Sequence, residues 1–555
     1  LAGKSPSVET EQQTEAVLEQ AHAEATEADW EAADQMLDVL EREAADAISQ
    51  VLLDRQRTGD GVLVVNPLSF RRVAIIDWPE GLLPPARSKT VEGTQFDGLR
   101  RKVAVNLPGS GFVWIPAERG ALEDAGDDVG DYPTLAEEAM LRNEFFEVHL
   151  NEETGGISQL KGFGRKPNRL SQQIAFRFPS ERITRTNDIA DERSYYSEMR
   201  IRNWEATSDG PLIGELECQG EIFDQTSDKV LATFTQRLRV NRFRPFVEVD
   251  LELEPVVLPD GNPWLNYFAC RFAWNDAAAS LTRSLLGSAH AVATERFESS
   301  EYLEIASDSE RTTILHPHAT FHRKTGMRMV DCILLAEGET RRKFRFAIGY
   351  DVDYPMQAAE ELLTPPLVLP VSSEAVSGAP AGWFFHLDVR NVLISRLMPC
   401  PSPAVEVDHD DLAGNDLAGD EDSTHSRDVA AATSDLTASD VANSVGVDSG
   451  HAEDTLEATD QPSWEATGGL DSGDLPSSTD MPSRGNSRGP RVVVRLRETE
   501  GRRCTASLRC FRTPVSARQI DFRGKTIVEL SIIDDVVRVE VTPHEIADIE
   551  LQFAE

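Results

Sequence analysis

The sequence is poor in positive charge, and this shortage narrows the choice of partners. It holds 55 Lys and Arg residues against 95 Asp and Glu residues, a formal net charge of −40. So acidic a chain repels phosphate backbones and anionic lipid surfaces. It also lacks any run of roughly 18 apolar residues, the length that a membrane helix requires. We therefore expect neither nucleic acid nor a membrane as partner.

Cysteine is scarce and scattered. The six cysteines are Cys218, Cys270, Cys332, Cys400, Cys504 and Cys510, with no C-x-x-C pair among them. The spacing matches neither a zinc ribbon nor a dense disulfide framework, so reduced thiols are favoured.

The chain begins without an initiator Met, a basic segment or an apolar segment, so it contains no visible signal peptide. We expect that its start is cut or that it is a fragment. The sequence does not determine the cellular compartment. The absence of a signal or transmembrane segment in this chain slightly favours the cytoplasm.

Familiar catalytic motifs are missing as well. There is no G-x-S-x-G elbow, no Walker loop, no Rossmann glycine pattern and no H-E-x-x-H. Carboxylates are numerous, but no pair is marked as flanking a cleft. The sequence predicts no catalytic residue and no metal ligand in this chain.

A β-hairpin is the clearest feature that is present. In residues 141–160, LRNEFFEVHLNEETGGISQL, apolar Phe146, Val148 and Leu150 alternate with polar residues. Gly155 and Gly156 then supply a turn before the return strand. From residue 195 to 350, strand-like segments of 6–13 residues follow one another without intervening helices. This order predicts a mainly β protein with a large antiparallel β-sandwich.

Three further segments flank this region. Residues 8–57 lack Pro and Gly and space apolar residues by three and four, which predicts a long helix without a second helix to pack on. That helix packs on the β domain, dimerises, or belongs to a bundle whose other members lie upstream. A short helix is predicted over residues 357–363. Strands return from residue 491, and we expect them to join the sandwich.

Residues 404–490 differ in composition from everything around them. They hold roughly twenty acids against three arginines, with abundant Ser, Thr, Ala and Gly. Such a segment buries too little apolar surface to offset its ordering entropy. We predict an acidic disordered insertion.

The strongest candidate for ligand binding lies in two strand-like segments. Residues 262–274 alternate, with an aromatic even face that includes Trp264, Phe268 and Phe272. A sandwich core needs such a face, and core is the favoured role over a sugar-stacking platform. The less apolar odd face leaves Tyr267 and Arg271 as the better ligand candidates.

The second segment, HRKTGMRMVD, adds donors that could bind hydroxyl groups, although a solvated hairpin explains it as well. Its candidate residues are His322, Arg323, Arg328 and Asp331. Nearby, His316 and His318 stand two residues apart, a spacing that puts two histidines on one strand face and could suit zinc if a third ligand arrived. Solvated or core-edge histidines are favoured over metal binding.

The order of features resembles the C-terminal portion of glycoside hydrolase family 38 α-mannosidases. Three motifs support this resemblance: Asn66, Pro67, Leu68, Ser69 and Phe70; then Asn143, Val148, Leu150, Gly155, Gly156, Ile157 and Leu160; and finally Arg495, Leu496, Glu498 and Gly501. The resemblance implies a galactose-mutarotase-like sandwich. It divides the chain into a last bundle helix (1–58), a small β domain (59–137), the sandwich (138–403), the insertion (404–490) and a terminal β region (491–555).

The resemblance also implies retaining hydrolysis of α-mannosides by the full-length protein, with zinc in a catalytic domain that this chain does not match. The chain alone would then be inactive, bind no cofactor itself, and scaffold or line a sugar cleft. Its partners would be α-mannosides and the missing N-terminal catalytic domain, and a homo-oligomer is possible. The alternatives are a stand-alone carbohydrate-binding or mutarotase-like protein, or an interaction protein that acts through its acidic insertion.

Overall fold

The structure is a computed structural model of the chain. It describes residues 60–554 except 98–99, 118–131, 165, 186–190, 372–375, 378–380 and 401–488, together with scattered positions between 32 and 54. The chain divides into one unit of Leu1–Ser402 with Arg488–Glu555 and a second unit, Pro403–Ser487, which falls outside the described residues. The predicted insertion and most of the predicted N-terminal helix lie outside them too.

Strands make up nearly all the regular structure of the described residues. The strands before residue 120 are β1 (Leu53–Asp54), β2 (Gly61–Asn66), β3 (Arg72–Asp77), β4 (Val91–Phe96), β5 (Arg101–Leu107) and β6 (Gly111–Pro116). The next are β7 (Ala136–Glu137), β8 (Met140–Arg142), β9 (Glu147–Leu150), β10 (Ile157–Lys161), β11 (Leu170–Arg185), β12 (Asp191–Tyr196), β13 (Glu198–Asp209), β14 (Ile213–Asp224), β15 (Lys229–Asn241), β16 (Phe246–Pro255) and β17 (Tyr267–Trp274). They continue with β18 (Ser280–Leu285), β19 (Ser288–Ala291), β20 (Arg296–Glu298), β21 (Tyr302–Ala306), β22 (Arg311–Leu315), β23 (Phe321–Gly326), β24 (Met329–Leu335) and β25 (Lys343–Tyr350).

One helix and twelve more strands complete the described order. They are helix α1 (Pro355–Leu363), β26 (Leu367–Val371), β27 (Val376–Ser377), β28 (Ala381–Trp383), β29 (Phe385–Leu387), β30 (Val392–Pro399), β31 (Arg491–Glu498), β32 (Cys504–Cys510), β33 (Ser516–Ile520), β34 (Thr526–Glu529), β35 (Ile532–Ile533), β36 (Val536–Val541) and β37 (Ile546–Gln552). The predicted short helix is confirmed as α1, which begins at a proline and buries Met356, Ala359 and Leu362.

Two large antiparallel sheets form the sandwich. The ten-stranded sheet has the order β20-β23-β24-β17-β11-β10-β9-β8-β7, with β12 paired to β11, and the nine-stranded sheet has the order β13-β14-β15-β16-β25-β22-β21-β18-β19. Apolar side chains from the inner faces of both sheets share one core. Phe272 of β17 meets Phe346 of β25 across that core, with ring centroids 5.9 Å apart. The predicted mainly β class and the antiparallel sandwich are confirmed.

The predicted hairpin is present, but it does not open the sandwich, because the short strands β7 and β8 of the same sheet precede it. β9 and β10 pair antiparallel, from Leu150 opposite Ile157 to Glu147 opposite Lys161. Gly155 takes a φ of +82°, a conformation that L side chains rarely adopt. The inward residues Val148, Leu150 and Ile157 are buried in the shared core because alternation turns every second side chain to that face.

Two sequence predictions about other strands are wrong. Leu53 and Asp54 belong to strand β1, which pairs with β27, rather than to a helix that continues to residue 57. The terminal strands do not join the sandwich: β29 to β37 make two sheets of their own around a separate core, because β30, just before residue 401, pairs with β31.

The N-terminal helix is described only at scattered positions. Those between residues 32 and 47 are helical, and the apolar Met36, Leu37, Val39 and Leu40 are each at least 50% exposed. Within the described part of the chain, no helix combines the length and the apolar character that crossing a membrane requires.

Candidate functional site

Neighbouring strands of the ten-stranded sheet bring several predicted residues into one row. Arg271 of β17 lies opposite Asp331 of β24, and Asp331 lies opposite Arg323 of β23. One step along the sheet, Arg177 of β11 lies opposite Tyr267 on one side and Tyr196 of β12 on the other. Cross-strand partners project to the same face. The row therefore stands on the outer face of the sheet.

Asp331 is fully buried, and three donors bind its carboxylate. The hydroxyls of Tyr196 and Tyr267 donate to Oδ2 at 2.7 and 2.8 Å, and Nε of Arg271 donates to Oδ1 at 3.0 Å. The Arg271 guanidinium carbon also lies 3.4 Å from the centroid of the Tyr196 ring. The carboxylate thus positions two phenols and one guanidinium.

The two phenols stay protonated around neutral pH. Burial, and next the nearby Asp331 carboxylate, raises the pKa of Tyr196 and of Tyr267. Both effects disfavour a phenolate anion. Each hydroxyl therefore acts as a hydrogen-bond donor to Asp331.

A cavity of about 550 Å³ opens beside this network. It is lined by Arg177, Tyr195 and Tyr196 and by residues 292–295 and 323–327, and we call it the tyrosine cavity. Tyr195 is 40% exposed, so part of its aromatic ring is available to a ligand. Arg177, by contrast, is only 6% exposed.

Arg323 forms part of the cavity wall. Its Nε donates to Oε1 of Glu295 at 2.7 Å and its Nη1 donates to the carbonyl of Trp264 at 2.7 Å. Burial lowers the pKa of Arg323, but the hydrogen bond to Glu295 and nearby charges outweigh it and raise the pKa overall. Arg323 is therefore a fixed cation at the edge of the cavity.

The structure does not bring His322 or Arg328 to this cavity. His322 is adjacent to Arg323 in β23, so alternation turns it into the core, where its ring stacks on Phe297 at 5.4 Å. Arg328 is exposed in the turn between β23 and β24 and donates to the carbonyl of Asn275. Tyr267, Arg271, Arg323 and Asp331 are the predicted residues that come together.

The spacing of His316 and His318 does not put them on one strand face. β22 ends at Leu315, so His316 turns into the core while His318 accepts a hydrogen bond from the Arg345 backbone at 3.2 Å. The rings of His316 and His322 meet edge to face at 4.3 Å. No group of three His, Cys, Asp or Glu side chains among the described residues could hold a metal ion. Zinc does not fit the described part of this chain.

The aromatic face of the even-numbered residues in β17 packs in the sandwich core, the role that the sequence favoured. Phe268, Phe272 and Trp274 of β17 belong to the shared core. Trp264 lies before the strand, because Asn262 forms a turn in which its Oδ1 accepts the backbone N–H of Trp264 at 3.0 Å. The prediction that residues 262–266 continue the strand is therefore wrong.

Sequence reasoning missed Arg177, Tyr195 and Tyr196. These residues lie about 70 positions or more before Tyr267 and reach it only through the β11–β17 and β11–β12 pairings. The adjacent tyrosines and the single arginine carried no motif that would have marked them. Only the strand register identifies them.

The tyrosine cavity presents aromatic, hydroxyl and guanidinium groups. Among the described residues that line it, Glu295 is the one carboxylate. Glycoside hydrolysis uses two carboxyl groups on opposite sides of the scissile bond. Aromatic rings, hydroxyls and guanidinium groups suit recognition of a sugar.

Two other cavities of similar size, about 600 and 650 Å³, lie where the small β sheets and α1 meet the nine-stranded sheet. The cavity of about 600 Å³ is walled by charges that pair with one another: Arg244 and Arg345 each bind Glu248 at 2.8 Å. Burial raises the pKa of Glu248, but the two arginines outweigh it and hold the pKa below its ordinary value. This network joins structural elements.

No family model matches the chain, and no curated protein matches it. Two solved structures resemble it over most of its length. One is an alpha-mannosidase from Enterococcus faecalis V583, at 7% identity and a TM-score of 0.53 over 89% of this chain and 56% of that chain. The other is a protein in the Glycosyl Hydrolase Family 38 from Enterococcus faecalis, at 7% identity and a TM-score of 0.54 over 92% of this chain and 60% of that chain.

A galactose mutarotase related enzyme from Lactobacillus acidophilus also matches, over 38% of this chain and 97% of its own, at 9% identity and a TM-score of 0.23. The two Enterococcus structures show that this chain shares its fold with part of family 38 α-mannosidases. The resemblance expected from the three motifs is confirmed at the level of the fold. The chain spans 56% to 60% of the length of these two structures.

Proposed function

We propose that the chain is the non-catalytic C-terminal part of an α-mannosidase-like glycoside hydrolase. Its β domains scaffold a catalytic domain, and the tyrosine cavity lines part of the sugar cleft. The observation that supports this most is the fold shared with 56% to 60% of two family 38 structures over about nine-tenths of this chain. The single carboxylate in the cavity agrees with a binding role.

In this proposal, the full-length protein hydrolyses α-mannosides with retention, and the zinc-binding residues belong to the catalytic domain. The described residues of this chain contribute the exposed Tyr195 ring, on which a pyranose can stack, and the arginines of the cavity, which donate to its hydroxyls. Asp331 acts as a positioning residue, because its fully buried carboxylate is occupied by Tyr196, Tyr267 and Arg271.

Saturation-transfer NMR on the full 555-residue chain tests the binding role. We expect methyl α-mannoside to bind weakly, and Tyr195→Ala to weaken binding about fivefold or more, the cost of losing one stacking surface of about 1 kcal/mol. Phe522→Ala is the matched control, since Phe522 is an exposed aromatic residue of the terminal β region. Equal binding by the Tyr195 variant, or no mannoside binding at all, contradicts a sugar-lining cavity.

A second measurement separates the enzyme hypothesis from a stand-alone sugar-binding protein. The protein is isolated from its source, and its intact mass, zinc content and aryl α-mannosidase activity are measured. A mass well above 61.3 kDa together with zinc and activity supports the proposal. A mass of 61.3 kDa, with sugar binding but no activity or associated catalytic subunit, favours the stand-alone alternative.

A further inference from the structure

An aromatic pair stands beside the tyrosine cavity on the outer face of the ten-stranded sheet. Trp264 and Phe321 pack edge to face, with ring centroids 6.0 Å apart. Phe321 is the first residue of β23 and is 48% exposed, while Trp264 is partly exposed. Both rings lie outside the lining of the tyrosine cavity. Aromatic rings that are exposed together, rather than singly, mark a candidate binding surface.

The strand geometry of β23 places Phe321 next to the wall of the tyrosine cavity. Phe321 and Arg323 are two residues apart in this strand, so their side chains project from the same face, with Cα atoms about 7 Å apart. His322, between them, is fully buried in the core. Arg323 lines the cavity. Phe321 is therefore a direct neighbour of a cavity residue on the outer face.

The loop that carries Trp264 is attached to the same wall. Nη1 of Arg323 donates to the carbonyl of Trp264 at 2.7 Å, and Nη1 of Arg177 donates to the carbonyl of the next residue, Leu265, at 2.5 Å. Both arginines line the tyrosine cavity. Because two consecutive peptide groups of the loop are held in this way, Trp264 has a fixed position relative to the cavity.

Polar side chains flank the aromatic pair. In the pairing of β20 with β23, Arg296 lies opposite Arg323 and Glu298 lies opposite Phe321. Cross-strand partners project to the same face, and Arg296 and Glu298 are both exposed. The Arg296 guanidinium carbon lies 5.6 Å from the centroid of the Trp264 ring. The surface thus combines aromatic rings with a hydrogen-bond donor and an acceptor, which suits the C–H face and the hydroxyls of a pyranose.

We propose a second sugar subsite that adjoins the tyrosine cavity. Its residues, which we call the tryptophan subsite, are Trp264, Arg296, Glu298 and Phe321.

In this arrangement, one pyranose stacks on Tyr195 in the tyrosine cavity, and the next unit of the same saccharide stacks on the aromatic pair. Arg323 lies between the two sites, because it lines the cavity and also donates to Trp264. One cation and one carboxylate flank the pair, so the subsite suits a neutral sugar. This inference rests on the proposed sugar-binding role and specifies a ligand of two or more sugar units.

Titration calorimetry on the full chain tests the inference with methyl α-mannoside and a set of α-linked mannobioses that differ in linkage. We expect at least one mannobiose to bind about fivefold or more tighter than methyl α-mannoside, because its second ring gains a stacking contact. If every mannobiose binds no tighter than the monosaccharide, the tryptophan subsite does not exist.

Phe321→Ala is the decisive variant, since it removes an exposed ring of the subsite. We expect it to abolish the advantage of the mannobiose and to leave the affinity for methyl α-mannoside unchanged, which also reports an intact fold. Phe321→Tyr keeps an aromatic ring and should keep the advantage. Phe522→Ala is the matched control, because Phe522 is an exposed aromatic residue of the terminal β region.

The possible outcomes separate this inference from the proposed function. If the mannobiose keeps its advantage in Phe321→Ala, or if that variant weakens both sugars equally, the inference is overturned while the sugar-binding role stands. Tyr195→Ala, by contrast, should weaken the monosaccharide and the disaccharide alike, because both place a ring in the tyrosine cavity. If no saccharide binds, both proposals fail.

Discussion

His316 and His322 form a buried pair whose protonation should make stability depend on pH. Both are fully buried, and their ring centroids are 4.3 Å apart. Nε2 of His316 lies 3.1 Å from the Ser299 hydroxyl, while Nδ1 of His316 and both nitrogens of His322 have no hydrogen-bond partner among the described residues. Burial lowers the pKa of His316 to about 4, and burial together with the neighbouring His316 and Arg283 lowers the pKa of His322 well below its ordinary value.

The direction of the pH effect follows from these depressed pKa values. As pH falls below about 6.5, the histidines of the unfolded chain take up protons that the folded chain excludes. The neutral histidines therefore make their full contribution to the free energy of unfolding above pH 6.5. For His316, that contribution is lost as the pH falls from about 6.5 to about 4. For His316 alone the loss is on the order of 3 kcal/mol.

Urea denaturation at pH 7.5 and pH 4.5 measures this effect. We expect His322→Phe, which keeps the aromatic contact with Phe297, to reduce the loss of unfolding free energy between the two pH values by about 2 kcal/mol. His290→Gln serves as the control because His290 is exposed. A pH dependence that is the same in the His322 variant as in the original chain would rule out the buried pair as its source.

At the scale of single residues, the sequence predicted only some of the residues of the tyrosine cavity and its network. Strand geometry explains which candidates lie there and which do not. Tyr267 and Arg271 were chosen from the alternation of one segment, and β17 places both on the outer face. His322 was grouped with Arg323 because the two are adjacent, yet adjacency in a strand sends them to opposite faces. Arg177 and Tyr196 depended on register between distant strands, which no local pattern encodes.

At the scale of elements, the turn between β9 and β10 is the part of the hairpin most sensitive to substitution. A Cβ added to Gly156 would lie 2.4 Å from the carbonyl oxygen of Gln172 in β11. Since that oxygen belongs to the backbone of a central strand, it cannot move without disturbing the pairing of β10 and β11. The glycine is therefore required by the close approach of three strands.

We expect Gly156→Ala to lower the free energy of unfolding by about 2 kcal/mol or more, as overpacking against fixed backbone does. Gly326→Ala is the matched control, because a Cβ there meets no atom within 4 Å. Chemical denaturation of both variants gives the comparison. Equal stability of the two variants would show that the β10–β11 region relaxes more easily than its packing indicates.

The sequence predicted the elements better than their assembly. Local sequence patterns identified the hairpin, the short helix and the antiparallel character of the sandwich because these depend on neighbouring residues. Local patterns do not determine which sheet a strand joins. For example, β5 and β6 are four residues apart but belong to different sheets. Likewise, the terminal strands pair with β29 and β30 rather than with the sandwich, a choice made by long-range pairing.

At the scale of the whole molecule, the ends of the described chain at residues 400 and 489 are held close together. β30 and β31 pair from Val392 opposite Glu498 to Pro399 opposite Val492. The backbone N–H of Cys400 then donates to the carbonyl of Arg491 at 2.9 Å. The paired strands need no contribution from the residues between them to meet.

We therefore expect deletion of residues 403–487 to leave the remaining fold intact. The deletion removes 20 acidic and 2 basic residues and joins β30 to β31 through residues 400, 401, 402, 488, 489 and 490. If the segment is the flexible insertion that its composition predicts, shortening the connection lowers its closure entropy and adds about 2 kcal/mol to stability. Scanning calorimetry should show a midpoint equal to, or a few degrees above, that of the full chain.

Deletion of residues 403–495 is the control, since it also removes most of β31, the strand that joins β30 to the rest of the five-stranded terminal sheet. We expect that variant to lose the terminal β region, because β31 pairs with both β30 and β37 and contributes Val494 to the separate core. A large loss of stability in the shorter deletion would mean that residues 403–487 support the fold. In that case the pairing of β30 with β31 does not stand alone, and the acidic segment has a structural role beyond its composition.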